Sequence, residues 1–293
     1  MNYHFISSEI IKNTWSGIKY HVLEQIVNNK KNLYLYNVYT LKYEIVPLEI
    51  LEKYIKNIDD DFYKIFYIQC NCLDIEDKYQ LNLLRIFHSS WLNHLWEYLN
   101  STEFKIILKR VNTDRETNKV FPEQKSLFTT FLTDYTTLKG CFLGLSPYQD
   151  EKHANGIAFS TYSNIIPPSL QILQNAFRLA INKSKMYRIP NDLLYLQSQG
   201  ILLLNCALST NTISPISHID IWKPFIIKII NTLNEKDNFT WLLFGNQAKT
   251  YNSYINKQFN VIEEYHPAYY ARQKTEMSGD KIKQFINFTQ IEL

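Results

Sequence analysis

The sequence predicts an α/β fold for residues 88–293, a three-layer αβα arrangement with a central, mostly parallel four-stranded sheet. Two observations support this prediction. Four short strand candidates, at 138–143, 200–205, 240–244 and 259–264, have the length of buried strands. Segments with the apolar spacing of helices lie between them, and strands that alternate with helices form a parallel sheet covered on both faces.

Five segments of this part have the apolar spacing of amphipathic helices. They cover Trp91–Leu99, Phe104–Val111, a segment that begins near Ser169, another that begins near Ile221, and Lys281–Phe288. Ser89 and Ser90 come before the first segment and Ser101 comes before the second, and serines are typical N-cap residues. The helices therefore have both a starting signal and an apolar face that can cover the sheet.

The first 87 residues have a different pattern. Apolar and polar residues alternate from Tyr34 to Val46, as in a strand or hairpin with one exposed face, after a turn at Asn28–Lys31. Helical spacing follows over Leu48–Ile58, and an acidic turn follows at Asp59–Asp61. This part is too apolar for a disordered tail. We expect residues 1–87 to form a small folded α+β addition that packs on the rest or docks a protein partner.

The composition sets limits on the class of protein. The chain has 293 residues and a net charge of +3, which is too small to demonstrate a nucleic-acid partner. No apolar run approaches the ~20 residues of a membrane span, and Met1–Tyr20 lacks the apolar stretch of a signal peptide. The sequence therefore predicts a soluble, intracellular protein with no membrane partner.

The four cysteines do not indicate a metal site. Cys141 and Cys206 fall inside strand-like apolar runs, and Cys70 and Cys72 are too close together for the usual zinc pair. We interpret them as buried, reduced thiols, and we expect neither a metal nor an organic cofactor.

The segment 144–161, which follows the first predicted strand, carries the side chains best suited to bind a flat ring. Pro147 and Gly156 favour turns, Tyr148 and Phe159 offer aromatic faces, and Asn155 offers an amide. Open α/β sheets bind their ligands in the loops at the carboxyl ends of the strands. The segment therefore predicts a pocket for a flat ring with polar edges.

The letters of this segment, GLSPYQDEKHANGIAFST, resemble without a gap the water-activating loop of family 1 uracil-DNA glycosylases, which reads GQDPYH, a spacer, then AxGLxFS. Further motifs of that family are matched in the same order, and they are Ser90-Trp91 with Leu95, VFPEQKSLF at 120–128, IPPSL at 166–170, GILLLN at 200–205, WLLFG at 241–245 and His266-Pro267. The chain is therefore identified as a member of this family. The resemblance implies DNA, and uracil-containing DNA in particular, as the partner.

The resemblance also implies roles for individual residues. Phe159 would stack on the flipped base, Asn205 would read its Watson–Crick edge, and Tyr148 would collide with the methyl group of thymine. His266 would donate a hydrogen bond to the base as negative charge develops on it. Leu145 would complete the base pocket. The implied DNA contacts are Pro122, Ser126, Gln149, Pro168, Ser169, Gly245, Asn246, Pro267, Ala268, Tyr269 and Tyr270.

The chain departs from the family pattern at positions of catalysis and phosphate contact. Ser146 stands where the family has the aspartate that orients water and stabilises the sugar cation, and a neutral hydroxyl cannot stabilise a cation by charge. The other departures are Leu145 for glutamine, Gln149 for histidine, Asp150-Glu151 for Gly-Pro, Ala268 for serine, and Tyr269 or Tyr270 for the leucine wedge. The two added carboxylates would repel DNA phosphates.

Three hypotheses follow from these departures. The chain holds uracil or a related base in DNA, with excision weakened or lost. Alternatively, it is a working N-glycosylase for uracil or a modified base, with Asp150 as a substitute carboxylate. In the third hypothesis it is a scaffold that uses the fold only for protein contacts through residues 1–87. Whether the protein is an enzyme stays open at this point.

Overall fold

The computed structural model describes residues 3–12, 19–27, 30–37, 42–43 and 86–292. The chain divides into two compact units, Met1–Asn100 and Ser101–Leu293. The domain boundary that the sequence predicts after residue 87 stays a prediction. The helix predicted at 48–58, the acidic turn at 59–61, and Cys70 and Cys72 lie outside the described residues.

The first unit contains an antiparallel sheet and a helix. Its strands occur in the order β1-β2-β3-β4, with the bounds Tyr3–Lys12 for β1, Lys19–Val27 for β2, Lys30–Asn37 for β3 and Lys42–Tyr43 for β4. Helix α1, Ser89–Asn100, lies against β1. Strands β1 to β4 fall within residues 1–87, whereas α1 follows them, so the α+β character predicted for residues 1–87 stays a prediction.

The second unit is built around a four-stranded sheet whose described strands all run parallel. The order is β10-β9-β6-β7, with β6 at Gly140–Gly144, β7 at Ile201–Asn205, β9 at Thr240–Phe244 and β10 at Asn260–Glu264. Every residue of β6, β7 and β9 is buried. Continuous apolar runs are expected of strands covered on both faces. The predicted parallel sheet is confirmed.

Helices connect and cover these strands. Their bounds are Thr102–Thr117 for α2, Pro168–Ala180 for α3, Leu194–Gln197 for α4, Ile219–Leu233 for α5, Gly245–Lys249 for α6, Pro267–Gln273 for α7 and Asp280–Thr289 for α8. Ser101 caps α2, because its hydroxyl accepts a hydrogen bond from the backbone N–H of Phe104. Two short strands, β5 (Val120–Phe121) and β8 (Thr210–Asn211), pair antiparallel and form a separate two-stranded sheet.

Two aromatic clusters fill the interior of the second unit. Phe142 of β6 contacts Phe177 of α3, Phe244 of β9 and Phe285 of α8, at ring-centroid distances of 6.1, 5.5 and 4.8 Å. A separate cluster joins α2 and α5 and contains Phe104, Phe128, Phe131, Trp222 and Phe225. This arrangement agrees with the predicted three layers.

Cys141 and Cys206 are fully buried free thiols, and burial raises the pKa of each. No helix that the described residues form has the length and apolar character needed to cross a membrane.

Candidate functional site

A cavity of about 290 Å³ opens at the carboxyl ends of the parallel strands. Its walls come from the loop after β6, from Asn205 at the end of β7 and from Ser169 in the first turn of α3. His266 and two residues of α7, Ala268 and Arg272, complete them. Small-molecule sites have volumes from roughly 300 Å³ upward, so this cavity suits a single ring or nucleoside. Ser146, Asn205 and His266 all line it.

Phe159 has an unusual backbone conformation in the cavity wall. It is buried and has φ = 64°, in the left-handed region that a bulky residue rarely adopts. Its ring lies 5.0 Å from that of Phe244 and 5.6 Å from that of His266, measured between centroids. Backbone strain of this kind persists only where the surroundings fix it, and it is concentrated at ligand sites.

Asn205 offers an unpaired amide to the cavity. The residue is buried, and no hydrogen bond formed among the described residues uses its side chain. Gly144, paired with it in the neighbouring strand, makes room for the amide. A Cβ atom at Gly144 would lie 2.6 Å from Asn205 Oδ1 and 3.0 Å from Phe159 Cζ. The missing side chain at Gly144 therefore lets the amide and the aromatic ring lie side by side.

Tyr148 forms a fixed, neutral wall. Its hydroxyl donates to the carbonyl oxygen of Phe159 at 2.9 Å and accepts from Ser169 Oγ at 3.3 Å. Burial raises the pKa of Tyr148 to about 12. Ser169, an implied DNA contact, is itself buried and lines the cavity, with its hydroxyl directed to the tyrosine.

Ser146 lines the cavity, half-buried, between Leu145 and Pro147. Its hydroxyl takes part in no hydrogen bond among the described residues. No aspartate or glutamate of the described residues lines the cavity, and Arg272 is the single charged side chain in its wall. The fixed charge of the cavity is therefore positive.

His266 is held as a neutral hydrogen-bond donor. Its Nδ1 accepts from the backbone N–H of Ala268 at 3.2 Å, so the proton of the neutral ring resides on Nε2. Burial, and secondarily the positive charge of Arg272, lower the pKa of His266 to about 4. The ring is therefore uncharged at neutral pH.

The lowered pKa of His266 predicts a pH dependence of stability. Between the ordinary value of 6.5 and about pH 4, the unfolded chain binds a proton on this ring and the folded chain does not. The free energy of unfolding should therefore fall with decreasing pH across this window, by up to about 3 kcal/mol from this residue. Denaturant unfolding at several pH values measures it, with His266→Asn as the control that keeps a capping acceptor but cannot titrate. Equal pH slopes for the two proteins would contradict the prediction.

The carboxylates after Tyr148 do not face the cavity. Asp150 is exposed and absent from the cavity wall, and its Oδ1 accepts from the backbone N–H of Lys152 at 2.9 Å. Glu151 forms an ion pair with Lys119 at 2.6 Å, which offsets its charge. Gln149 lines the cavity, and its Nε2 donates to the carbonyl oxygen of Asn211 at 2.6 Å.

The predicted role of Asn155 as a ring-binding amide does not agree with its contacts. Its Nδ2 donates to Ser160 Oγ at 2.7 Å, and its Oδ1 accepts from the backbone N–H of Ile157 at 3.1 Å. Both polar atoms therefore stabilise the loop that carries Phe159, although the residue lines the cavity.

The remaining implied DNA contacts lie in loops and at the starts of helices. Pro122 is buried, and its carbonyl oxygen accepts from Arg115 Nη2 at 2.7 Å. The carbonyl oxygen of Ser126 packs so closely on Gly156 that a Cβ there would lie 1.8 Å away. Other members of the set occupy the starts of helices, and they are Pro168 in α3, Gly245 and Asn246 in α6, and Pro267 and Ala268 in α7.

The two candidate wedge tyrosines differ in their contacts. The Tyr270 hydroxyl donates to Glu264 Oε1 at 2.8 Å, and its ring packs against the core. Tyr269 is 39% exposed, and its ring stacks on Tyr265 with a centroid distance of 4.9 Å and an interplanar angle of 22°. Of the two tyrosines, Tyr269 is therefore the more accessible to a ligand outside the protein.

Arg272 was not predicted from the sequence. It is four residues after Ala268 on α7, and residues at this spacing share a helix face. Helix α7 has only seven residues, which is too short for its apolar spacing to be recognised. Recognising that helix from its start at His266-Pro267 would have placed Arg272 beside the cavity.

Comparisons with known proteins agree with this fold. A family model described as the uracil DNA glycosylase superfamily matches residues 132–290. A uracil-DNA glycosylase of Borrelia hermsii is 31% identical over 207 residues, 68% of this chain and 92% of the relative. One from Mesomycoplasma hyopneumoniae is 34% identical over 177 residues, 59% of this chain and 80% of the relative. The chain belongs to the uracil DNA glycosylase superfamily, as the sequence motifs predicted.

Solved structures share the fold at lower sequence identity. Mimivirus uracil-DNA glycosylase superimposes with a TM-score of 0.58 at 21% identity, over 68% of this chain and 78% of that one. The UNG of Nitratifractor salsuginis superimposes with a TM-score of 0.52 at 18% identity, over 72% of this chain and 95% of that one. Within the described part of the chain, no group of three or more His, Cys, Asp or Glu side chains could hold a metal ion.

Proposed function

We propose that this protein binds uracil turned out of DNA, as part of uracil-DNA repair, and that it hydrolyses the N-glycosidic bond slowly or not at all. One observation carries the proposal. The cavity assembles Tyr148, Phe159, Asn205 and His266, whereas no carboxylate of the described residues faces it. The residues suited to bind the base are together, and the charge that would assist hydrolysis is missing.

The polar groups of the cavity match the edge of uracil. The Asn205 amide offers one acceptor for the N3 hydrogen and one donor for O4. Phe159 provides a ring on which the base can stack, and the fixed ring of Tyr148 closes the space that the methyl group of thymine would need. Stacking and edge hydrogen bonds offset the few kcal/mol that it costs to turn a base out of the duplex.

A Gly144→Ala substitution tests this geometry. The new Cβ would displace the Asn205 amide and the Phe159 ring, because it would lie 2.6 Å from Asn205 Oδ1 and 3.0 Å from Phe159 Cζ. We expect about tenfold weaker binding of a uracil-containing oligonucleotide, measured by fluorescence anisotropy, and a loss of about 1–3 kcal/mol in the free energy of unfolding. Unchanged affinity with reduced stability would contradict the proposed placement of the base.

The electrostatics of the cavity support binding more than hydrolysis. The neutral His266 can donate from Nε2 to the base as negative charge develops there, which can contribute ~3 kcal/mol to catalysis. The sugar, however, becomes cationic as the bond breaks, and Ser146 offers it no negative charge. Arg272 adds a positive charge to the same cavity. The cavity therefore stabilises the negative charge on the departing base but not the positive charge on the sugar.

A second candidate function is active excision, which the names of the relatives favour. Asp150 would then have to supply the carboxylate. Asp150 lies outside the cavity wall, and its Oδ1 accepts a hydrogen bond from the backbone N–H of Lys152. Both observations count against that role. The third hypothesis, a scaffold that docks a protein partner through residues 1–87, predicts no preference for uracil at all.

Two assays on the full chain separate these functions. Fluorescence anisotropy with matched uracil- and thymine-containing oligonucleotides measures the preference, and alkali treatment after incubation reveals excision as strand scission. The proposed function predicts a uracil preference with little or no scission. Rapid scission would establish the active glycosylase, and equal affinities without scission would leave only the scaffold.

A further inference from the structure

Arg272 is a cavity residue whose charge the base-binding chemistry does not use. It lies on α7 one turn after Ala268, and both residues line the cavity. Among the described residues in the cavity wall, it is the single charged one. Ala268 has only a methyl group, and Arg272 itself is exposed.

The guanidinium has no competing partner in the described part of the chain. None of the hydrogen bonds and ion pairs formed there uses its nitrogens. The neighbouring acid Glu276 pairs instead with Lys185, at 3.9 Å. All five N–H donors of Arg272 therefore remain available to a ligand.

The depth of the cavity determines which part of a nucleotide Arg272 can meet. Phe159 and Asn205 are 6% and 7% exposed and form the deep wall, whereas Arg272 is exposed at the mouth. A base that stacks on Phe159 leaves its sugar and phosphates at the mouth. A planar guanidinium matches the oxygens of a phosphate with two parallel hydrogen bonds.

We infer that Arg272 binds a phosphodiester that adjoins the flipped nucleotide, and thereby forms an anion subsite at the mouth of the base cavity. This inference rests on the proposed function and extends it to the DNA backbone. The bound phosphate would also neutralise the positive charge that Arg272 otherwise places beside the sugar. Base and backbone would then be bound by separate walls of one cavity.

The test uses a short single-stranded oligonucleotide with one central uracil as the anisotropy probe. In two further probes a neutral methylphosphonate replaces a phosphodiester, either beside the uracil or several nucleotides away. The full chain is compared with Arg272→Gln, with Arg272→Lys, and with Lys281→Gln, a control that removes an exposed charge on α8 away from the cavity wall.

We expect Arg272→Gln to bind the unmodified probe about tenfold more weakly, with Lys281→Gln close to the wild type. The slope of log affinity against log salt should become shallower by about 0.7, the value for one phosphate contact on a single strand. The methylphosphonate beside the uracil should weaken the wild type by a similar factor and Arg272→Gln hardly at all. Arg272→Lys, which keeps the charge without the planar fork, should be intermediate.

Two outcomes would overturn the inference. In the first, the methylphosphonate beside the uracil weakens the wild type and Arg272→Gln by the same factor. In the second, the distant methylphosphonate weakens the wild type more than Arg272→Gln to the same extent as the adjoining one does. Thermal unfolding of each variant verifies that it is folded. The proposed function is judged separately, by the uracil preference of the wild type. If the wild type prefers uracil but the adjoining methylphosphonate affects it no more than it affects Arg272→Gln, only the inference is contradicted. If the methylphosphonate effect depends on Arg272 but the wild type shows no uracil preference, only the proposed function is contradicted.

Discussion

Asn205→Ala should abolish the preference for uracil over thymine in DNA. The amide is buried at the end of β7 and unpaired among the described residues, so the substitution removes a donor and an acceptor that face the cavity. Leaving the N3 hydrogen and O4 of a buried uracil without partners costs ~1–3 kcal/mol, which corresponds to about tenfold or more in affinity. Competition anisotropy with matched uracil and thymine oligonucleotides measures the loss.

The control for this prediction removes the same side chain at the opposite end of the sheet. Asn238 is exposed just before β9, at the amino edge of the strands, and Asn238→Ala should keep the full preference. A second variant, Phe159→Ala, removes the stacking ring and should weaken uracil binding by a comparable factor. If the wild type, Asn205→Ala and Phe159→Ala bound both oligonucleotides equally, the cavity would not be a base site and only the scaffold would remain.

The sheet could be predicted from the sequence because three of its strands, β6, β7 and β9, are buried on both faces. These three are mainly apolar segments, whereas β10, at the edge of the sheet, has exposed Asn260 and Glu263. The predicted bounds of all four strands differ from the observed ones by at most two residues, as at 138–143 against Gly140–Gly144. The short helices α6 and α7 have five and seven residues and were not predicted. Because Arg272 enters the cavity from α7, missing that helix also meant missing the one charged side chain in the cavity wall.

Side-chain partners explain what the sequence could not decide. Asn155 and Ser160 are five residues apart, and the turn made by the left-handed Phe159 comes just before Ser160. Nothing in the letters distinguishes an amide that stabilises its own loop from one that binds a ring. In the same way, the choice between Tyr269 and Tyr270 depends on Glu264, whose carboxylate engages the second tyrosine and leaves the first exposed.

The charge of the cavity connects these residues to catalysis. A glycosidic bond that breaks in this cavity places negative charge on the base and positive charge on the sugar. The neutral His266 can stabilise the negative charge on the base. The positive charge on the sugar would meet only the hydroxyl of Ser146 and the guanidinium of Arg272. A bound phosphate on Arg272 would remove the unfavourable charge without supplying a favourable one. The proposed function therefore attributes weak hydrolysis to the absence of a carboxylate near Ser146.

Ser146→Asp should raise uracil excision from a low or undetectable rate. The new carboxylate would lie in the cavity wall, where it can stabilise the sugar cation and orient the attacking water. Arg272 in the same cavity favours its ionised form. We expect a gain of about a hundredfold, equivalent to roughly 3 kcal/mol of barrier, measured as alkali-induced scission in single-turnover reactions. The gain should stay partial, because Leu145, Gln149 and Ala268 are unchanged.

Ser146→Asn is the matched control, since it has the shape of aspartate without the charge and should not raise excision. An equal gain with Asn would show that volume, not charge, limits the reaction. A different result would overturn the proposal that the protein is mainly a uracil-binding protein. Rapid excision by the wild type, abolished by Asp150→Asn and unaffected by Ser146→Ala, would mean that the loop moves Asp150 into the cavity and that the catalytic carboxylate lies four residues further along the chain.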